Sequence, residues 1–183
     1  MNACLILVDF QNDYFAGGNM ELVNIKQAAE NAQKLLRTFR SRHLPIIHIQ
    51  HISAHPGATF FVPNTKGAEI NEMVSPLKGE YVVKKNYPNG FRDTELLEIL
   101  KKTEKDTLVM CGAMSHMCID ATTRAAFDYG FKCVVAEDAC ATRDLVFKGK
   151  TIKASDVHAS FMAALFVPYA QVLTTEETLE KIA

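Results

Sequence analysis

Three polar residues directly follow, or lie just beyond, apolar runs of strand length, and their types suit nucleophilic catalysis. Asp9 follows the first run, Lys85 ends a later one, and Cys118 lies six residues after Gly112, where another run ends. A thiol can attack a carbonyl carbon, a carboxylate can accept the thiol proton, and an ammonium stabilises the negative charges that arise. This combination favours a cysteine-based catalytic site.

Each of these residues also has an ordinary structural interpretation. An Asp after a strand often caps the next turn, one of Lys84 and Lys85 must be a solvated surface lysine, and most cysteines are small core hydrophobes. A helix beginning at Met117 or Cys118 favours catalysis, because its dipole would lower the pKa of the thiol. Its free N–H groups could also hold an oxyanion. The residues alone leave both interpretations open.

The elements that must position these residues alternate between strands and helices. Strand-length apolar runs occur at Ala3–Val8, Pro45–Gln50, Tyr81–Val83, Thr107–Cys111, Lys132–Ala136 and Ala170–Leu173. Helical patterns occupy residues 25–39, 96–100, 118–129 and 155–167. This alternation predicts one α/β domain over residues 1–183. We expect a Rossmann-like three-layer α/β/α fold, with a mostly parallel six-stranded sheet and helices on both faces. Ligands in such folds bind at the carboxyl ends of the strands.

Helix caps and a long insertion can also be predicted from the sequence. Asp93 and Thr94 offer an N-cap for the second helix, and Gly130 offers a C-cap for the third. The segment Ser53–Gly79 is rich in Pro and Gly and predicts a long irregular insertion, which is often functional. Its adjacent Phe60 and Phe61 are expected to close over a substrate or pack on a neighbouring subunit.

The composition excludes several classes of partner. The 183 residues include 20 Lys+Arg against 21 Asp+Glu, a net charge of -1 without a basic cluster, which argues against nucleic acid and anionic membranes. The apolar opening run is too short for a signal peptide or a membrane span. Five cysteines form no C-x-x-C pair. We therefore expect a reduced, cytoplasmic protein with mostly buried thiols.

Four segments in order carry a family resemblance: residues 7–13, 83–91, 112–126 and 134–139. With these motifs the chain resembles the isochorismatase-like cysteine hydrolases, which include nicotinamidases, N-carbamoylsarcosine amidohydrolases and streptothricin hydrolases. The joint match is specific, although each segment alone would be weak. The resemblance implies hydrolysis of an amide-type bond in a small molecule through a thioester, without a cofactor. It also implies a homodimer or homotetramer.

The resemblance assigns roles to individual residues. It implies a triad of Asp9, Lys85 and Cys118, with Lys85 preferred over Lys84 because the family lysine stands six residues before a phenylalanine, here Phe91. It also implies a cis peptide between Ala113 and Met114, which places the Met114 N–H beside the Cys118 N–H as an oxyanion hole. True isochorismatases, which cleave a vinyl ether, lack the cysteine, so Cys118 favours amide-type substrates.

One departure from the family concerns metal binding. Nicotinamidases carry a metal site built on an Asp-x-His pair and a further His after the second strand. Here Ile49 occupies the Asp position, although His48, His51 and His55 lie nearby. Without the carboxylate we predict no metal site and interpret these as strand and loop histidines.

The substrate pocket and three alternative functions complete the expectations. Candidates for the pocket wall are Tyr14, Phe15, Phe91, His116 and Met117.

Instead of an amide-type bond, the chain could hydrolyse another type of bond, or it could be a catalytically idle binding domain. A thiol redox sensor is a further alternative, with Cys111 or Cys140 as the partner of Cys118. Intact triad residues argue against an idle domain.

Overall fold

A computed structural model describes residues 2–182 and contains one six-stranded sheet. Its strands are β1 (Ala3–Val8), β2 (Ile46–His51), β3 (Tyr81–Lys85), β4 (Thr107–Ala113), β5 (Lys132–Ala141) and β8 (Gln171–Leu173). The order is β3-β2-β1-β4-β5-β8, and all neighbouring pairs are parallel. The predicted α/β fold is therefore correct.

Five helices cover the two faces of the sheet. They are α1 (Ile25–Ser41), α2 (Leu96–Thr103), α3 (Asp120–Asp128), α4 (Ala154–Phe166) and α5 (Thr175–Ile182). Alternate residues of β1 enter two separate cores, because successive side chains of a strand point to opposite faces. One core contains α1 and α5, and the other contains α2, α3 and α4.

Several boundaries differ from the sequence expectations. Lys85 ends β3, as expected, but β5 continues to Ala141 instead of ending at Ala136. A two-stranded hairpin of β6 (Leu145–Phe147) and β7 (Lys150–Ile152), together with α5, was not anticipated. Their apolar runs are short, so periodicity alone does not reveal them.

The helix ends also differ in detail. The N-cap residue of α2 is Glu95, and the Thr94 hydroxyl accepts a hydrogen bond from the Leu96 N–H at 3.3 Å. Cys118 does not start an α-helix. It lies in a π-helical turn, Ser115–Ile119, which precedes α3. Gly130 follows α3 with φ of 89°, as expected of a glycine C-cap.

The insertion after β2 folds back on its own chain. It contains two short 3₁₀ turns, Lys66–Ala68 and Glu72–Val74, and its Phe61 is buried. The Phe61 ring lies 4.6 Å from the Tyr14 ring between centroids, and Phe60 packs against the same core. The insertion therefore covers the edge of the sheet where β1 and β2 end.

Gly112 permits a close approach between β4 and β1 beside Asp9. It has φ of 131°, and a Cβ there would lie 2.0 Å from the Val8 carbonyl oxygen. Only glycine fits both the backbone conformation and the space. Asp9 itself has φ of 53°, a left-handed conformation that Asp tolerates better than most residues. The backbone of both strands is therefore tightly constrained next to the candidate site.

We predict that Gly112→Ala lowers the free energy of unfolding by at least about 3 kcal/mol, because the added methyl overlaps backbone that cannot move freely. Gly149→Ala is the matched control. It also has positive φ, 77°, but a Cβ there meets nothing within 4 Å, so it should cost only about 1–2 kcal/mol. Thermal and denaturant unfolding measure both values. Equal losses in the two variants would show that the contact with Val8 does not constrain the fold.

Candidate active site

The structure brings Asp9, Lys85 and Cys118 together at the carboxyl edge of the sheet. The Lys85 Nζ lies 2.7 Å from Asp9 Oδ2 and 3.2 Å from Cys118 Sγ. Asp9 follows β1, Lys85 ends β3, and Cys118 lies in the turn after β4, so three strands converge on one point. The three exposed fractions are 0%, 1% and 2%, respectively. The thiol borders the core that contains α2, α3 and α4 on one side and contacts the Lys85 ammonium on the other.

His51 is a fourth member of this group. Its Nδ1 lies 2.9 Å from the Lys85 Nζ. An ammonium has three N–H donors and no acceptor, so His51 must present a lone pair at Nδ1. Lys85 therefore has one acceptor for each proton: Asp9, His51 and Cys118. From the sequence, His51 was interpreted as a strand or loop histidine, and nothing signalled this contact, because the contact requires β2 and β3 to be adjacent.

Electrostatics fix the charge of Lys85 and His51. Burial lowers the pKa of Lys85, but the opposing effects of Asp9 and Cys118 raise it overall, so the side chain stays an ammonium. Burial and the Lys85 charge lower the pKa of His51 to about 4, so the imidazole is neutral at pH 7. The buried ammonium is thus surrounded by one anion and two neutral acceptors.

The expected lowering of the Cys118 pKa is wrong for this structure. Burial, followed by the negative charge of Asp9, raises the pKa of the thiol, and Lys85 offsets only part of this effect. The Cys118 thiol is therefore protonated at neutral pH. Asp9 Oδ1 is buried and has no hydrogen-bond partner among the described residues. A carboxylate oxygen of Asp9 and the Cys118 sulfur lie within 4.8 Å of each other, so a proton acceptor is already in place.

The turn that carries Cys118 contains a cis peptide bond between Ala113 and Met114. The Met114 carbonyl accepts from the N–H groups of Met117 and Ile119, at 3.0 and 3.2 Å, but not from Cys118 between them. Among residues 2–182, no hydrogen bond starts at the Met114 N–H. The Met114 N–H is therefore available beside the turn that carries the sulfur, and π-type turns recur at functional sites.

The Ser115 side chain connects this turn to β5 and α4. Its Oγ lies 2.9 Å from His158 Nδ1 and 3.3 Å from the Ala141 carbonyl oxygen. His158 also approaches Glu137 at 3.3 Å through Nε2. The same contacts border a cavity of about 470 Å³, which is lined partly by Glu137, Thr142 and His158. These bonds tie the turn to the rest of the domain.

Three residues near the N-terminus hold the catalytic edge in place. The Gln11 amide oxygen accepts from the His51 N–H at 2.7 Å, and its Nε2 donates to the His51 carbonyl at 2.8 Å. Asp13 accepts from the Phe61 N–H at 2.6 Å and so fixes the insertion. The Tyr14 ring packs against Phe61 of that insertion, where burial, followed by the charge of Asp9, raises the pKa of its hydroxyl.

The other pocket candidates lie in different surroundings. Phe91 is buried in the core that contains α2, α3 and α4, and its ring centroid lies 5.1 Å from that of Tyr129. It therefore packs in the core and does not line an opening. Phe15 borders a separate groove with Asn12 and Lys66. His116 is half-buried and its Nδ1 lies 2.6 Å from Thr142 Oγ1, whereas Met117 is exposed. A substrate pocket at Tyr14, His116 and Met117 stays a prediction.

Three histidines near the family metal position do not converge. His48 contacts Glu80 at 2.8 Å, and the His55 ring accepts from the Gly57 N–H. Asp9, His51 and Cys118 offer metal-ligand atoms within 4.8 Å of one another. All three, however, contact the Lys85 Nζ, so an ammonium already occupies the position where a cation would bind.

The comparisons with known proteins agree with this fold. The family model described as isochorismatase domain matches residues 3–177. The chain belongs to the isochorismatase family. It is 49% identical over 180 residues to the uncharacterized isochorismatase family protein YddQ of Bacillus subtilis, covering 98% of this chain and 100% of that protein. A crystal structure from Oleispira antarctica, described as an isochorismatase hydrolase, superposes with a TM-score of 0.94 at 48% identity, covering 97% and 96% of the two chains.

Some relatives in the isochorismatase family carry the names of enzymes. A streptothricin hydrolase of Streptomyces noursei is 33% identical over 141 residues, covering 77% of this chain and 50% of that protein. A maleamate amidohydrolase of Pseudomonas putida is 24% identical over 97% of this chain and 85% of that protein. A nicotinamidase 3 of Arabidopsis thaliana is 26% identical over 76% of this chain and 73% of that protein. No helix within residues 2–182 is long and apolar enough to cross a membrane.

We predict that His51 makes folding of the chain sensitive to acid. The unfolded side chain binds a proton near its ordinary pKa of 6.5, but the folded one only near 4, so unfolding takes up a proton between these values. The free energy of unfolding should therefore fall as pH drops from 6.5 to 4. In His51→Gln this loss should be smaller by about 1–2 kcal/mol.

Denaturant unfolding at several pH values measures this loss, with the exposed His55→Gln as the matched control. His55→Gln should keep the pH dependence of the wild type. An identical pH dependence in His51→Gln would contradict the neutral, Lys85-bound state of this imidazole.

Proposed function

We propose that the chain is a cysteine hydrolase that cleaves a C–N bond of the amide type in a small molecule, using Asp9, Lys85 and Cys118. The observation that carries the proposal is the position of Lys85 between the carboxylate and the thiol, with Asp9 Oδ1 free. The three enzyme names among its relatives agree with amide-type chemistry. The family name isochorismatase does not by itself specify which type of bond this chain cleaves.

The first half of the reaction forms a thioester. The Cys118 sulfur attacks the amide carbon while Asp9 Oδ1 takes the thiol proton, so an unstable free thiolate need not accumulate. The carbonyl oxygen becomes an oxyanion, which the N–H groups of Met114 and Cys118 stabilise. The C–N bond then breaks, and Asp9 returns the proton to the departing nitrogen. Ammonia or an amine leaves, and an acyl group remains on sulfur.

The second half regenerates the enzyme. Water attacks the thioester carbon and gives a proton to Asp9, and the same two N–H groups hold the second oxyanion. The C–S bond breaks, the carboxylic acid product leaves, and Asp9 returns the proton to sulfur. Lys85 stays protonated throughout. Its role is to balance the negative charge that moves between carboxylate, sulfur and substrate oxygen.

We predict that Cys118→Ala lowers kcat/KM for a small amide by at least about 10³-fold, because the acyl acceptor is lost. Ammonia release from a panel of primary amides measures this effect. Cys133→Ala is the matched control, since Cys133 is also a buried thiol but lies beside Phe131 and Thr123, away from the triad. Its activity should stay near that of the wild type. Full activity in Cys118→Ala would exclude the proposed nucleophile.

We also predict that metal chelation leaves the activity unchanged, because Lys85 supplies the positive charge at the site. Dialysis against a strong chelator, followed by the ammonia assay with and without added Zn²⁺ or Mn²⁺, measures this. Loss of activity that the metal restores would show that the charge comes from a metal ion instead. Lys85→Met should lose activity under both conditions.

A further inference from the structure

The Met114 N–H is a donor that no hydrogen bond of its own holds in place. Within residues 2–182 it has no partner, as the proposed role in holding an oxyanion requires. An oxyanion hole works only when its donors already point at the position that the oxygen will occupy. The contacts on either side of this peptide unit must therefore fix the direction of its N–H group.

Two of these contacts come from the backbone. Ala113, which precedes Met114, lies opposite Ala141 in the pairing of β4 with β5. The Met114 carbonyl accepts from the N–H groups of Met117 and Ile119 at 3.0 and 3.2 Å. Both contacts act within the strand pair and the turn, so neither anchors the turn to α4, the helix that packs against it.

The Ser115 side chain supplies that anchor. Ser115 directly follows Met114 and is fully buried, and its Oγ lies 2.9 Å from Nδ1 of His158 on α4. The Ala141 carbonyl oxygen is the second partner of this hydroxyl, at the longer distance of 3.3 Å. One side-chain oxygen thus joins the turn both to α4 and to the strand beside β4.

Glu137 fixes which proton the His158 ring carries. Its Oε2 lies 3.3 Å from His158 Nε2, and an ionised carboxylate can only accept a hydrogen bond, so Nε2 carries a proton. In the neutral ring Nδ1 then has a lone pair, which accepts the Ser115 hydroxyl proton. In the protonated ring Nδ1 donates to Ser115 Oγ, and the hydroxyl proton turns to Ala141. The bond between Ser115 and His158 therefore forms in both charge states of the imidazole.

We propose that Ser115 and His158 are positioning residues of the oxyanion hole, because their hydrogen bond holds the turn with the Met114 N–H pointing at the oxygen of the tetrahedral intermediate. This inference rests on the proposed cysteine hydrolase function and deepens it. Neither side chain touches the substrate or transfers a proton. Their loss should therefore slow the steps that form an oxyanion and leave the reactivity of the Cys118 thiol unchanged.

The test compares two reagents that react at Cys118 with and without an oxyanion. The ester p-nitrophenyl acetate acetylates the sulfur through a tetrahedral oxyanion: a C–S bond forms, the ester C–O bond breaks, and p-nitrophenolate leaves as the thiol proton passes to Asp9. Methyl methanethiolsulfonate has no carbonyl. With this reagent an S–S bond forms and methanesulfinate leaves, and the thiol proton again passes to Asp9.

The ratio of the two rates cancels changes in the thiol itself. With the chain in excess over the ester, p-nitrophenolate release minus that of Cys118→Ala gives the rate of acetylation. Peptide mass spectrometry gives the rate of disulfide formation at Cys118. Neither measurement requires knowledge of the natural substrate.

We expect Ser115→Ala and His158→Gln to lower the acetylation-to-disulfide ratio about 10- to 100-fold, which is part of the effect of losing a whole oxyanion donor. His158→Asn should keep most of the wild-type ratio. The Asn amide lies where Nδ1 of the imidazole lies and can still bond Ser115, whereas the longer Gln places its amide at the position of Nε2. A role in packing alone predicts the opposite order, because Gln is closer to His in size.

Ser160→Ala is the matched control, because its hydroxyl also lies on α4 but bonds the Asp156 carbonyl of the same helix, at 2.7 Å. It should keep the wild-type ratio. If Ser115→Ala fails to fold, the two His158 variants carry the test, since the His158 side chain is partly exposed. An unchanged ratio in His158→Gln, or an equal decrease in His158→Asn, overturns the inference.

Amide turnover gives a second readout. For an amide that the chain hydrolyses, His158→Gln should lower kcat and leave KM unchanged, because the bond that it breaks assists only the transition state. A higher KM with unchanged kcat would show that His158 holds bound substrate instead, and would overturn the positioning role.

The same measurements separate this inference from the proposed function. If wild-type Cys118 forms the disulfide but releases no more p-nitrophenolate than Cys118→Ala, the cysteine hydrolase proposal itself is overturned. If Cys118 is acetylated at a rate that Ser115→Ala and His158→Gln leave unchanged, only the positioning role is overturned.

Discussion

The buried ammonium of Lys85 is the interaction on which the arrangement of this site depends. The Lys85 Nζ lies 2.7 Å from Asp9 Oδ2, 2.9 Å from His51 Nδ1 and 3.2 Å from Cys118 Sγ, one acceptor for each of its three protons. A cation enclosed in protein is stable only when its charge and its donors are satisfied. Asp9 supplies the opposite charge, and a neutral His51 supplies an acceptor without adding repulsion. Because these residues come from β1, β2, β3 and the turn after β4, the sheet order itself creates the group.

The same group explains how a protonated thiol can serve as a nucleophile. Burial and the charge of Asp9 raise the pKa of Cys118, so the sulfur attacks as Asp9 removes its proton. The free oxygen of Asp9 is therefore as important to the proposed chemistry as the sulfur. The constraints around Asp9 serve this geometry: its left-handed backbone, the close approach of Gly112, and the Gln11 contacts that fix His51.

Much of the fold was predictable from the sequence because fully buried parallel strands appear as continuous apolar runs, as in Ala3–Val8. The proximity of Asp9, Lys85 and Cys118 followed from strand ends and from the family resemblance. The surroundings of His51 were not predicted, because the register between neighbouring strands leaves no local pattern in the sequence. The direction of the Cys118 pKa was wrong because a helix dipole was expected where the chain forms a π-type turn, and because burial was not counted.

The central claim is that an acyl group passes through the Cys118 sulfur. Its most direct test is rapid acid quenching of the wild-type chain during turnover of an amide, followed by peptide mass spectrometry. The account predicts a transient mass increase equal to the acyl group, located on Cys118 and lost as product forms. Turnover with no acyl adduct on Cys118 at any time point, together with hydrolysis of the amide by Cys118→Ala at the wild-type rate, would contradict it.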